Sequence, residues 1–418
     1  MKRFFISILF LFPIIHISAQ INSGDPYSSF GIGILKSDTG PYTAMGGIGT
    51  AMYDKIHINF LNPASYAHLD SNRFYCQVGV FGEIVSLKEQ NKKWNYKNGN
   101  IDNFNIAFRI FDNLYTSLGI NRISNASYHI YSINSIGGND GYNYKKDMEG
   151  GGGLNDIRMG LAYRYKNISV GVNASWIFGK FDRSKSVFIN SSNSYILETH
   201  EKTNISGFTI NTGILYSLFL SSKSQLTLGG RIRMKNNLWG EKNLTAVKKN
   251  YYSGIVVPVV EEKKADGDIA YPLNLSGGIV FRYDRRWTFG ADYTLDMMSD
   301  YKEFDINRGF DDAHRINIGA SIIPDDGGRK WIERNTYMAG AYYDKSYLSL
   351  NGKNIRVLAL TLGAEIPLSK RNSILLLNFG FDIGKTIKTP TELIEKKFAK
   401  FNVNIIFKER WFIKRKIN

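Results

Sequence analysis

From about residue 74 onward the chain alternates with a period of two, and the second face of the alternation is small and polar rather than charged. Arg315-Ile316-Asn317-Ile318-Gly319-Ala320-Ser321-Ile322 and Phe401-Asn402-Val403-Asn404-Ile405 are clear runs, as is Thr209 to Ile214. In an extended strand such residues point to opposite faces. Val170, Val172, Ala174, Trp176 and Phe178 share one face, and Gly171, Asn173, Ser175 and Ile177 the other. Leu358, Leu360, Leu362, Ala364 and Ile366 likewise oppose Ala359, Thr361, Gly363 and Glu365. Leu375, Leu377, Phe379, Phe381 and Ile383 oppose Ile374, Leu376, Asn378, Gly380 and Asp382. A soluble sandwich would turn its apolar face inward and expose Lys, Glu and Thr. Gly, Asn, Ser and Thr instead suit the crowded, wet interior of a tube whose greasy face meets lipid.

About 14 such stretches fall between residues 74 and 408, many near the ~9–11 residues a tilted strand needs to cross a bilayer. The fold class expected is all-β, a transmembrane antiparallel β-barrel of about 14 strands. Short connections alternate with long ones. Asp112-Asn113-Leu114, Tyr165-Lys166-Asn167 and Tyr283-Asp284-Arg285-Arg286 are short, while 84–101, 125–154, 181–204, 235–271, 298–312 and 384–398 are long. Outer-membrane barrels have short periplasmic turns and long outer loops, so the pattern predicts long extracellular loops and both termini in the periplasm. The run Gly150 to Gly153 reads as a flexible loop end, and Val256 to Val260 as a hairpin above the membrane. Tyr163, Tyr165, Trp176, Phe178, Tyr216, Tyr283, Trp287, Tyr343, Trp411 and Phe412 are candidates for the two interfacial aromatic girdles.

The remaining composition narrows the function. The mean hydropathy of -0.24 leaves no room for a bundle of apolar helices, and no stretch beyond the leader reaches ~18 uninterrupted apolar residues. Residues 1–20 read as a signal peptide, with Lys2 and Arg3, an apolar run from Phe4 to Ile15, and Ser18-Ala19-Gln20 before cleavage. The net charge of +16 is scattered, which fits contact with outer-membrane lipid and lipopolysaccharide and not nucleic acid. Cys76 is the sole cysteine, so there is no internal disulfide. His57, His68, His129, His200 and His314 form no metal-spaced pair, and no Ser, His and Asp motif is present. No catalytic residue, metal or cofactor is therefore expected, and the chain reads as a non-enzyme. His57, near Asp54, reads as a polar contact.

Residues 21–72 break the alternation. They carry Ala44-Met45-Gly46-Gly47-Ile48-Gly49-Thr50-Ala51 and Asn62-Pro63-Ala64, the latter the start of a turn or short helix. These two motifs, ahead of a barrel occupying residues 73–418, resemble the FadL-like outer-membrane transport family. In that family the N-terminal segment forms a hatch inside a monomeric 14-stranded barrel. Its members pass long-chain fatty acids or aromatic hydrocarbons by diffusion through a lateral opening. The resemblance implies that Gly46, Gly47, Gly49, Asn62, Pro63 and Ala64 belong to a hatch. It implies a passive channel with a hydrophobic small-molecule ligand. A related subgroup, accessory barrels in protein export such as the partner of the type IX translocon, implies the alternative. That alternative is a scaffold in a secretion or outer-membrane protein assembly complex, with an envelope protein partner. Inward apolar candidates for a ligand path are Ile374, Leu376, Ile406 and Leu215.

Overall fold

The computed structural model describes residues 24–36, 40–136, 142–189, 195–325, 327–368, 374–387 and 393–411. The expected signal peptide and the basic tail from Phe412 lie outside the described residues. Fourteen antiparallel strands close into one barrel. They are β1 (Arg73–Glu89), β2 (Lys92–Phe111), β3 (Leu114–Arg122, resuming as Tyr128–Ile136), β4 (Tyr142–Tyr165), β5 (Ile168–Ile189) and β6 (Tyr195–Phe219). β7 runs Ser224–Arg233 and resumes as Asn236–Asn250, and β8 runs Val256–Tyr271 and resumes as Asn274–Tyr283. β9 (Trp287–Asp296), β10 (Ala313–Ile322), β11 (Thr336–Leu350), β12 (Lys353–Pro367), β13 (Ile374–Thr386) and β14 (Glu395–Arg410) complete the wall. Each strand pairs with its sequence neighbours, and β1 closes on β14 from Arg73↔Arg410 to Lys88↔Glu395. Closure leaves no wall edge of unpaired amides facing hydrocarbon, the requirement that lipid imposes on any sheet.

The two faces sort as the alternation predicts. On β5, Val170, Val172 and Trp176 are exposed, while Asn173, Ser175 and Ile177 are buried. On β12, Leu360 is 64% exposed and its neighbour Thr361 only 1%. Among the described residues no helix is long and apolar enough to cross a membrane.

Four of the segments read as long loops, 84–101, 125–154, 181–204 and 235–271, are largely strand. β4, β5 and β6 have 24, 22 and 25 residues, far beyond the ~9–11 that span a bilayer. Their ladders continue through 181–189 and 195–204 without a break. The segment 84–101 belongs to β1 and β2, joined by a tight turn at Gln90 with φ 50°. The segment 235–271 is a hairpin whose apolar end, Val256 to Val260, stands at its tip as expected. Polar residues on both faces concealed these strands, because above the lipid neither face needs to be apolar. Gly150 to Gly153 is not a loop end but lies inside β4. There Gly152 and Gly153 take φ of 127° and 144°, where any Cβ would strike the backbone of Lys180 and Ser124.

A charge placed on the lipid face tests the assignment of faces. Leu360→Arg should destabilise the barrel by about 2–4 kcal/mol in phospholipid, as depth-dependent insertion of Arg demands. Chemical unfolding of the reconstituted protein measures it, and an unchanged midpoint would mean that Leu360 does not face lipid.

Candidate functional site: the hatch, its seat and the side slot

The segment between Gly40 and Asp70 fills the barrel interior. It is built from tight local turns and two short 3-10 helices. Gly46 ends a 3-10 turn (Thr43–Met45) in the left-handed conformation, φ 69°, and a Cβ there would sit 2.4 Å from the carbonyl oxygen of Ile318. Asn62 caps a second 3-10 helix (Pro63–His68) by accepting from Ala64 N at 3.0 Å, with Pro63 pre-set for the first position. The Asn62 amide also donates to Thr50 O at 2.6 Å, tying the two motifs together. Asn59 does the same towards Gly49 O and Met52 O, at 2.6 and 2.7 Å.

The wall supplies what the hatch backbone lacks. Asp292 accepts from Gly49 N and Thr50 N at 2.6 and 2.7 Å. Thr361 accepts from Gly46 N at 2.8 Å and donates to Ala44 O at 2.9 Å, and Asn317 donates to Gly46 O. Asn378 and Asn404 donate to Pro41 O and Gly40 O. Arg158 donates to Phe60 O at 2.7 Å. Close approach is made possible by lumen-facing glycines. A Cβ on Gly171 would lie 2.4 Å from Pro63, one on Gly229 2.2 Å from Thr50 O, and one on Gly319 2.2 Å from Met45 O. Of the residues singled out by sequence, Gly46 and Gly49 bond to the wall through Thr361 and Asp292, Asn62, Pro63 and Ala64 lie against Gly213 and Gly171, and Gly47 N bonds to Tyr42 O. Asp292, Thr361, Asn317 and Asn378 were missed. Their only mark in the sequence is a polar residue at an inward position of a strand.

Charged ties also join hatch to wall, Asp70 to Lys408 and His57 to Glu365. His57 contacts Asp54 through Nδ1 at 2.6 Å and Glu365 of β12 through Nε2 at 2.5 Å. Tyr42 donates to Asp54 at 2.6 Å, and Asn378 donates to Glu365 at 3.2 Å. Burial alone would pull the imidazole down, but the flanking carboxylates of Asp54 and Glu365 outweigh it and hold His57 well above its ordinary value. Burial opposes the charge of Asp54 as well, and the His57 cation with the hydrogen bonds from His57 and Tyr42 holds that carboxyl below its ordinary range. The contact expected with Asp54 is present, and Glu365, far away in sequence, completes it.

Beyond the hatch, towards the long hairpins, the wall has a side slot. The β2–β3 ladder stops at Asn103↔Asn121. Residues 123–127 then turn into the lumen, where Ser124 and Asn125 pair with Leu35 and Ile34 of the N-terminal segment. Lys36 N donates to Ile123 O, and Ser28 Oγ donates to Ser127 O. On the β4 side the wall stays closed, since Ile123 N reaches Leu154 O at 2.8 Å and Ala126 N reaches Gly152 O at 3.1 Å. On the β2 side the part of β2 before Asp102 has no strand partner in β3. Behind this slot lies a cavity of about 180 Å³ bordered by Ile34, Leu35, Phe81, Tyr96, Arg122 and Phe398. A second cavity of about 110 Å³ shares Ile34, Leu35 and Val357 with it and continues to Tyr27, Leu348 and Ile355. Charged and polar groups border both cavities as well, among them Arg315, Asp344 and the Lys396–Asp25 ion pair at 2.9 Å. Of the inward apolar candidates, Leu215, Leu376 and Ile406 are buried but border neither cavity, and the Ile374 side chain lies outside the described residues.

Comparison with known proteins agrees with this layout. The sequence profile of a family described as BamG matches residues 1–418. No curated protein sequence matches the chain. Among solved structures, a Pseudomonas aeruginosa FadL homologue superposes with TM-score 0.66 at 11% identity, covering 91% of this chain and 99% of its own. The Ralstonia pickettii toluene transporter TbuX gives 0.57 at 14% identity, covering 90% and 99%. The Pseudomonas putida toluene transporter TodX gives 0.57 at 15% identity, covering 90% and 99%. At these identities the likeness is one of fold, an outer-membrane barrel with a hatch.

The His57 tie gives a pH dependence of definite sign. A raised imidazole value means the stabilisation is complete below about 6.5 and is lost as pH rises through the folded value. The Asp54 contribution runs the other way and is lost only in acid. His57→Gln should lower stability at pH 6 by about 3 kcal/mol, the usual consequence of leaving Glu365 buried and unpaired. The difference from wild type should shrink as pH rises. Equal melting curves at pH 6 would rule out the tie.

Proposed function

The chain belongs to the BamG family, and from that premise, joined to the side slot, we propose that it is a passive outer-membrane channel for hydrophobic small molecules such as long-chain fatty acids. The short turns and both termini face the periplasm, and the long hairpins face outward. The observation that carries the reading is the slot between β2 and the inward-turned residues 123–127, backed by a cavity with an apolar side at Ile34, Leu35, Phe81 and Phe398. A greasy solute crosses the outer polysaccharide layer poorly, so a pocket that opens sideways where the wall leaves the lipid gives it a short route to the hydrocarbon layer. Ile34, Leu35, Phe81, Phe398 and Ile355 supply apolar contact, and charged residues at the border, among them Arg122, Arg315 and Lys396, could orient a polar head group. The hatch, tied from several strands, blocks the axis, so the route is lateral. The solved channels of the same fold include two named as toluene transporters, which supports a hydrophobic ligand. No acid, base and nucleophile constellation enters this function.

A second reading is an accessory barrel in an outer-membrane protein assembly or secretion complex. The family match favours it. So does the hairpin of β7 and β8, where Tyr251, Tyr252, Ile255, Val257 and Val259 are exposed at a tip well past Trp239. Apolar side chains held out in water commonly mark a protein contact.

Val357 borders both cavities. Val357→Trp should fill them and weaken binding of a fluorescent long-chain fatty acid to the detergent-purified protein by about tenfold, ~1.4 kcal/mol. Unchanged binding by the variant, or none by wild type, would remove the channel reading. Recovery of the wild-type chain only within a large envelope complex would then favour the second.

A further inference from the structure

The connection between β10 and β11 is the longest at the short-turn end, and it does not hang beneath the barrel. Its backbone is fixed by Asp325 N to Glu333 O at 2.8 Å and Gly328 N to Asp325 O at 3.1 Å. Glu333 accepts from Lys330 N at 3.2 Å. These bonds hold a short 3-10 helix (Trp331–Arg334). The hydroxyl of Tyr337 donates to the carbonyl of Ile332 at 3.1 Å. Tyr337 alternates with buried Met338 and shares the face of exposed Ala339, so it points to lipid, not to the lumen. The turn is therefore drawn back against the outer face of the wall. There it presents Trp331 and Ile332, 58% and 52% exposed, with Arg329 and Lys330 exposed beside them.

We propose that residues 329–332 form a lipid-interface foot that docks on the phospholipid headgroup layer at the short-turn rim. Trp331 and Ile332 enter the glycerol and upper acyl region, and Arg329 and Lys330 meet phosphates. Three observations agree on lipid as the occupant. The patch is continuous with the lipid-facing wall through Tyr337. It lies near the level of Trp287, which pairs with Ile322 at the same end of β10. It joins an amphipathic aromatic to cations, the combination that interfacial belts use. The inference rests on the barrel spanning a membrane, and on the short turns facing the phospholipid leaflet.

Fluorescence of the full chain in phospholipid nanodiscs tests it. The wild-type minus Trp331→Phe difference spectrum isolates one indole among six tryptophans. With lipids brominated high on the acyl chain, that difference emission should be quenched at least about twofold, and it should be blue-shifted relative to an indole in water. A water-like, unquenched difference spectrum would overturn the foot, including the case in which the turn serves a protein partner instead. Trp176 and Trp287 lie on the lipid face of the wall, so their quenching reports insertion independently. Loss of all quenching would overturn the barrel reading together with the foot, whereas loss at Trp331 alone overturns only the foot.

Discussion

The fit between the polar lumen and the backbone of the hatch is the constraint on which the rest of the structure depends. A 14-stranded wall turns many Asn, Thr and Asp side chains inward, and a buried polar group left unpaired costs about 1–3 kcal/mol. Thr361, Asn317, Asn378 and Asn404 find their partners in the amides and carbonyls of residues 40–46, and Asp292 in those of Gly49 and Thr50. The same reckoning explains the hatch composition. Side chains larger than glycine at 46 or 49 would hold the hatch backbone away from these partners or strike Ile318 and Leu61. Wall and hatch therefore carry complementary glycines, Gly171, Gly229 and Gly319 opposite Pro63, Thr50 and Met45.

A seat bonded from so many strands makes the axis of the barrel an unpromising path for any solute. Moving the hatch as a body would expose several buried polar groups at once, together with the His57 contact to Glu365. The side slot carries no such cost. Its inward-turned residues 123–127 already satisfy their amides through Leu154, Gly152 and the N-terminal segment, so the β2–β3 ladder stops without orphaning that turn. A lateral route is therefore compatible with a fixed hatch, while an axial one is not.

How much of this was legible in the sequence depended on whether a local rule applied. The wall within the lipid was legible, because hydrocarbon forces an apolar outer face and leaves the alternation at Val170 to Phe178 or Leu358 to Ile366 visible. The strand extensions were not. Above the membrane both faces of 181–189 or 236–250 meet water or another strand, and the pattern that reveals a strand disappears. The tight turns at Gly46-Gly47-Ile48-Gly49 and Asn62-Pro63-Ala64 were legible from residue type, and their place in a hatch was an expectation from the family resemblance. Their partners were not, since Asp292 and Glu365 reach the hatch through barrel closure, which no local window encodes. The inward turn at 123–127 was hidden for the same reason. Its cause is Gly152 and Gly153 on the neighbouring strand, a run that by itself looks like a loop end.

The strand extensions also bear on the choice between channel and scaffold. A channel needs a closed wall through the hydrocarbon and little above it. Here β4, β5, β6 and the continuations of β7 and β8 form a sheet that rises far past the lipid, and its outer strand is defended against casual pairing. Pro258 removes a donor near the tip, register shifts interrupt the pairing with β7 between Leu244 and Val247, and Lys263 and Lys264 add charge. Such an edge discourages indiscriminate strand addition while leaving Tyr252, Ile255 and Val257 available as side-chain contacts. The two functions thus draw on different parts of one molecule, the slot where the β2–β3 ladder ends and the hairpin farther out. The slot needs only the closed wall and fixed hatch, so it stands even if the hairpin serves a partner.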